Sequence, residues 1–248
     1  MRVPAVVLAM AVLASPAAAA GADADVPRHT LRGQLTVKQD ASIFRSCGAS
    51  GRDYFLVDAA GGEVQAAYTE LAGATGRPIF MELRGVVMQG PASGPGAGME
   101  RVLRAESLLR AEKQGLGCRG AVGRIDAMAL GSNPAWQAEL SKAAVTFASL
   151  QQPGMLLFPP YPGPWPVNGE LRYEQRSDSG TLTLTFTAER CRDAASGNLY
   201  SLSALAVVNG ETYRGCAYRG RAAAPAAAPA AARERGGWWN SVEVRWGG

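Results

Sequence analysis

Few residues in this chain can do chemistry, and most of those are cysteines. Cys47, Cys118, Cys191 and Cys216 are its only thiols, and His29 is its only imidazole. A zinc site needs at least three protein ligands at suitable spacing. One histidine and no Cys-x-x-Cys pair do not supply them, so no metal and no other cofactor is expected. A redox-active thiol needs an exposed, electropositive setting, which nothing around Cys191 or Cys216 marks. In an oxidising compartment the remaining use of such residues is a disulfide. The two cysteines flank a run of alternating residues broken by Asn209-Gly210, the pair favoured in a type I′ hairpin. A Cys191–Cys216 bridge would tie the approach loop to the end of the second strand. Its 25-residue separation corresponds to about 3–4 kcal/mol of loop entropy. Four cysteines permit three pairings. With 191–216 formed, Cys47 is left for Cys118, which would tie the first domain to the interdomain junction.

Other chemistry finds little support. His29 lies near the mature N-terminus, and no Gly-x-Ser-x-Gly elbow accompanies the serines, so a nucleophilic triad is not expected. A glycosidase needs two facing carboxylates. Glu170, Glu174 and Asp178 fall on exposed positions of an alternating pattern, while Asp193 sits in a Cys-x-Asp loop and reads as a turn acceptor. No phosphate-cradling glycine loop is present; the glycines of 90–98 lack the strand–helix context. Met81, Met88 and Met99 do not cluster as soft copper ligands would. Tyr161 and Trp165, in FPPYPGPWP, are candidates for an aromatic binding platform or for a cap over a barrel end. Trp238, Trp239 and Trp246 form a second candidate contact, for a partner, a barrel of the same chain or a membrane surface.

The N-terminus, MRVPAVVLAMAVLASPAAAAGADAD, has a positive start, a short apolar core and a small-residue exit. It reads as a signal peptide over 1–22, which predicts a soluble periplasmic or secreted protein without a transmembrane segment in the mature chain. The formal charge of +4 is spread along the chain; a nucleic-acid face would concentrate it, so nucleic acid is not expected as a partner.

The elements that would position these residues are mostly strands. Residues 31–114 read as short strands with one helix, where Val64, Ala67, Tyr68 and Leu71 repeat at helical spacing between glycines. Residues 42–47 and 52–57 make a hairpin, 77–90 alternate, and 99–112 supply a last strand or helix. A small barrel of OB type follows from that order. Residues 118–220 read as antiparallel hairpins: Trp136, Ala138 and Leu140 against Val145 and Phe147, then Leu171 and Tyr173 against Leu182, Leu184 and Phe186. The proline-rich stretch between them cannot be a central strand. Residues 221–232, RAAAPAAAPAAA, are a linker, and 233–248 a Trp-rich tail whose SVEVRW is strand-like. The fold expected is mostly β, with two small antiparallel barrel or sandwich domains, the first OB-like with one short helix.

Two resemblances sharpen this. Phe44, Cys47, Gly51, Tyr68, Gly76, Pro78, Glu82 and Gly85 stand where the OB-fold domain of the copper-resistance lipoprotein NlpE and its relatives carries its Phe-x-x-Cys hairpin, Tyr-bearing helix and Pro-started strand. That resemblance implies an OB fold and an envelope setting; the lipidated cysteine and the Cys-x-x-Cys of the lipoprotein's other domain have no counterpart. Gly131, Pro134, Trp136, Cys191, Asp193, Ser196, Gly215, Cys216 and Ala217 resemble an uncharacterised bacterial envelope family akin to META/HslJ-type barrels, which implies no reaction. The function expected is non-catalytic: a periplasmic envelope protein binding an envelope protein or a small ligand, in the setting of envelope stress. The alternatives are a copper-handling protein and an envelope-glycan enzyme.

Overall fold

The structure, a computed structural model, describes residues 26–38, 41–115, 117–119, 125–163 and 169–220. The segments read as signal peptide, linker and Trp-rich tail, and Trp165, lie outside the described residues.

The first sheet begins with three strands, β1 (Arg28–Lys38), β2 (Ala41–Ser46) and β3 (Asp53–Asp58). Helix α1 (Glu63–Ala72) and two long strands, β4 (Ile79–Gln89) and β5 (Arg101–Glu112), follow. Strand β1 pairs antiparallel with both β2 and β4, β2 pairs with β3, β3 runs parallel to β5, and β4 pairs with β5. The ring is therefore a closed five-stranded barrel, and α1 lies between β3 and β4 in the chain, the OB arrangement expected. Residues 101–112, which allow either a strand or a helix by sequence, form β5 because partners on both sides take its backbone groups. Leu35, Phe44, Ile79, Met81, Leu83 and Leu103 fill the interior and are fully buried. Val64, Ala67, Tyr68 and Leu71 turn one face of α1 onto that core. Asp58, at the end of β3, accepts from the Gln65 amide at 2.9 Å and so caps the helix start. Gly85 marks a register shift in β4; a Cβ there would collide with the Arg104 carbonyl, so the sheet bends where no side chain intervenes.

The second sheet contains β6 (Ala127–Ser132), β7 (Ala135–Leu140), β8 (Val145–Ser149), β9 (Gln152–Phe158), β10 (Glu170–Ser177) and β11 (Gly180–Thr187). A short pair, β12 (Cys191–Arg192) and β13 (Leu199–Tyr200), precedes the last two strands, β14 (Leu202–Val208) and β15 (Glu211–Arg219). Eight strands pair in the order β10-β11-β14-β15-β6-β7-β8-β9, all antiparallel, which is a nearly closed barrel. Alternation places Trp136, Ala138, Leu140, Val145, Phe147, Leu171, Tyr173, Leu182, Leu184 and Phe186 inside, as the pattern predicts. The Asn209-Gly210 turn has φ of 51° and 90°, the left-handed pair that a type I′ hairpin requires.

One segment lies elsewhere than the sequence suggests. The loop after Cys191 is expected to fasten to the sheet of its own domain. Instead β12 and β13 form a hairpin whose second strand pairs with β5, Leu199 opposite Ala111 and Tyr200 opposite Arg110. The hairpin extends the first sheet, although the chain around it belongs to the second.

Candidate functional site

The groups capable of acid–base chemistry gather where the two barrels meet. On the outer face of the first barrel, β4 carries Phe80 and Glu82, and β5 carries Arg110 and Glu112. Arg110 donates through Nε to Glu82 at 2.8 Å and through Nη1 to Glu112 at 2.7 Å. Its guanidinium lies 5.1 Å from the ring centre of Phe80 and 4.4 Å from that of Tyr218, which arrives on β15 of the second barrel. Arg32 also faces Phe80, at 5.5 Å, and donates to the Gly117 carbonyl at 2.8 Å. Tyr218 stacks on Tyr200 at 6.0 Å. Burial pulls the Arg110 guanidinium down, but the Tyr218, Glu112 and Glu82 charges outweigh it and hold it above its ordinary value. Burial, with the nearby Glu112 charge, pushes the Tyr200 hydroxyl up to about 12.

A few residues away, the β12–β13 hairpin works as a clasp. Asp193 is buried and accepts from the Ser132 hydroxyl of the second barrel, the Ser196 amide at 2.9 Å and the Ser196 hydroxyl at 2.5 Å. Burial pushes its carboxyl upward, yet the hydrogen bonds from Ser132 and Ser196 prevail and leave it below the usual carboxylate range. Asn198 replaces a missing strand neighbour: its Oδ1 accepts from the Lys113 amide at 3.0 Å and its Nδ2 donates to the Gln114 carbonyl at 2.8 Å. Arg190 and Arg192 pair with Glu63 and Glu70 of α1. Behind the clasp, Ile125, Tyr200, Cys216 and Tyr218 form a small core of their own between the barrels.

The cysteines complete this junction. Cys191 is bonded to Cys216, with Cα atoms 5.4 Å apart, so the clasp on the first sheet is joined covalently to β15 of the second. Cys47 is bonded to Cys118, with Cα atoms 5.3 Å apart, and fixes the start of the interdomain segment against the β2–β3 turn. A cleft of about 390 Å³ beside that bridge is lined by Phe80, Glu112, Lys113 and Arg119 among others.

Of the candidate residues, the structure brings Asp193, Cys191 and Cys216 to the seam between the barrels, while Cys47 and Cys118 lie on the first barrel beside the interdomain segment. Tyr161 lies away from the seam. Its ring meets Tyr173 edge-on at 6.4 Å and packs against the second core, an arrangement of a cap more than of an open platform. Trp165, Trp238, Trp239 and Trp246 lie outside the described residues. The sequence reading missed Arg110, Glu82, Glu112 and Asn198. A signal for the carboxylate was there: Ile79 to Leu83, IFMEL, is buried on both faces, and a strand covered on both sides needs a partner for any charge it carries.

Among the described residues, no group of three or more His, Cys, Asp and Glu side chains is arranged to hold a metal ion. No helix among them is long and apolar enough to cross a membrane. In comparison with known proteins, residues 25–118 match the family model of the NlpE C-terminal OB domain. The match spans the closed barrel and ends at the Cys47–Cys118 bridge. No curated protein and no solved structure shows a significant match.

Proposed function

We propose that this chain is an exported envelope protein that works by binding a protein or a small ligand on a rigid two-barrel scaffold, without turnover of its own. The observation that carries this reading is the internal pairing of its buried ionisable groups. Arg110 holds both Glu82 and Glu112, and Asp193 holds Ser132 and Ser196. Carboxylates engaged in this way position the barrels and are not poised to move a proton to a substrate. The likeness of the first barrel to the NlpE OB domain and the two disulfides support an envelope setting and a periplasmic location, and they favour a part in envelope stress. A copper-handling role would have to be built without thiolates, because all four cysteines are in disulfides; Cu(I) titration of the oxidised chain tests it directly.

The experiment for the binding reading compares wild type with Glu112→Gln, both full-length and oxidised. Each is assayed for stoichiometric retention of a periplasmic component and for hydrolysis of envelope glycan. Equal retention by both, with no glycan cleavage, is the expected result. Cleavage by wild type that disappears in a folded Glu112→Gln chain would replace binding with catalysis.

A further inference from the structure

The second barrel does not close along its whole length. Strands β9 and β10 stand at the two ends of the sheet order. They run antiparallel, and among the described residues they meet through side chains: Ser177 donates to the Leu157 carbonyl at 3.0 Å, Ser179 accepts from the Leu157 amide at 3.3 Å, and Tyr173 donates to the Pro159 carbonyl at 2.5 Å. Because Ser177 is the last residue of β10 and Ser179 belongs to its turn, the part of β9 before Leu157 runs past the end of its neighbour. Among the described residues, 152–156 therefore form a strand edge without a neighbour.

The same hairpin carries unusual apolar exposure. Leu150 is 87% exposed, Met155 66% and Leu157 53%. The other large exposed hydrophobics among the described residues, Val26, Val57 and Met88, stand at 37–42% and belong to the first half of the chain. An open edge beside exposed Leu and Met side chains is a template for another strand.

We propose that this edge is the docking strand for residues 238–246 of the same chain, WWNSVEVRW. Period-two alternation puts Val242, Val244 and Trp246 on one side and Ser241, Glu243 and Arg245 on the other, the pattern of a strand with one apolar face. Paired beside β9, that face comes alongside Met155 and Leu157, where tryptophan rings against a thioether are favourable. Pro153 has no amide to donate and the Leu157 backbone is taken by Ser177 and Ser179, so the pairing is confined to 154–156. Length permits the connection. The last described residue is Gly220, and 17 residues, 221–237, precede Trp238. At about 3.1 Å per residue an extended Ala/Pro tether reaches roughly 50 Å, more than the height of a barrel built from strands of about 20 Å. A tether of this kind gives an effective concentration on the order of 1 mM, so an intrinsic affinity of about 0.1 mM keeps about nine chains in ten docked.

Photo-crosslinking of the intact, oxidised chain tests this, with benzoylphenylalanine placed at Leu150 or Met155. The expected product is an intrachain crosslink to a peptide within 233–248, with a yield independent of protein concentration. Val242→Lys with Val244→Lys should weaken docking about tenfold, equivalent to about 1.4 kcal/mol, which lowers the docked share from about nine in ten to about one half; the crosslink yield then falls about twofold and amides 154–156 exchange about fivefold faster. Crosslinks between two copies that rise with concentration, crosslinks to another protein, or an absence of tail peptides would each overturn the assignment. None of those results would alter the retention and cleavage readouts of the binding reading.

Discussion

The first barrel closes through its backbone, with β4 hydrogen-bonded along β5 from Phe80–Glu112 to Gln89–Arg101. The second stops short: among the described residues, the β10 side reaches β9 and Pro159 through the hydroxyls of Ser177, Ser179 and Tyr173. Both rest on distant pairings: the first needs a parallel β3–β5 pair separated in sequence by a helix and a strand, and the second joins its last strand to its first through β15–β6. Closure removes most sheet edges, and the end of β5 that runs past β3 is covered by β13. The second leaves β9 and β10 at the two ends of its strand order. The clasp then fixes both barrels into one unit, so the region that is sealed supplies rigidity and the region that is not supplies a surface.

The largest test of that division is Arg110→Ala. It leaves Glu82 and Glu112 buried beside each other without their cation, and removing one partner of a buried pair costs about 3–5 kcal/mol. Urea unfolding under oxidising conditions should show that loss in the first barrel; a loss below about 1 kcal/mol would mean that the seam is hydrated and the barrels are only loosely joined. Cys191→Ala with Cys216→Ala should follow, at about 3.5 kcal/mol for a 25-residue loop. If the clasp couples the barrels, the wild type should unfold in one transition and this variant in two. Coincident transitions by near-ultraviolet dichroism and tryptophan fluorescence would count against coupling.

Asp193→Asn should cost about 2 kcal/mol at neutral pH, the scale of hydrogen bonds to a charged group. Its folded carboxyl is depressed, so its contribution is complete above the unfolded value of about 3.9 and is lost as pH falls through the lower folded value. The variant should therefore have a shallower decline of stability below about pH 4, where wild type and variant converge. At the alkaline end, Tyr200 is raised to about 12 by burial from an unfolded value of about 10. Its neutral form is compatible with the seam below pH 10, and stability falls as pH climbs from there toward 12. Tyr200→Phe should flatten that limb; an unchanged limb would assign it to Tyr173 or Tyr218, both also raised by burial. The smallest effect belongs to the open seam. Ser177→Ala with Ser179→Ala should cost only about 1 kcal/mol and act on the second barrel alone, visible as faster amide exchange in β9 and β10.

Much of this was legible beforehand. Alternation identified Trp136, Ala138 and Leu140 as one buried face, Asn209-Gly210 announced its hairpin, and the Val64–Leu71 spacing gave the helix. Each of these is a local signal, since the strand period is two and the helix period near 3.6. Residues 101–112 were ambiguous because Leu, Arg and Glu favour helices by intrinsic propensity; pairing with β3 and β4 overrides it. The Arg110 cluster could not be found from spacing, because Glu82 and Glu112 are 30 residues apart and meet only across the β4–β5 register.

What the sequence determined by itself, then, was the set of strands, their faces and the helix that plugs the first ring. Those properties depend on residues a few positions apart, where covalent geometry already decides which side chains lie together. The tertiary structure alone decided that the Cys191 hairpin joins the first sheet, that a guanidinium sits between two carboxylates and two rings, and that β9 is left with a bare edge. Such outcomes depend on which distant surfaces must be buried at once, and burial is a property of the whole packed chain and of no single segment.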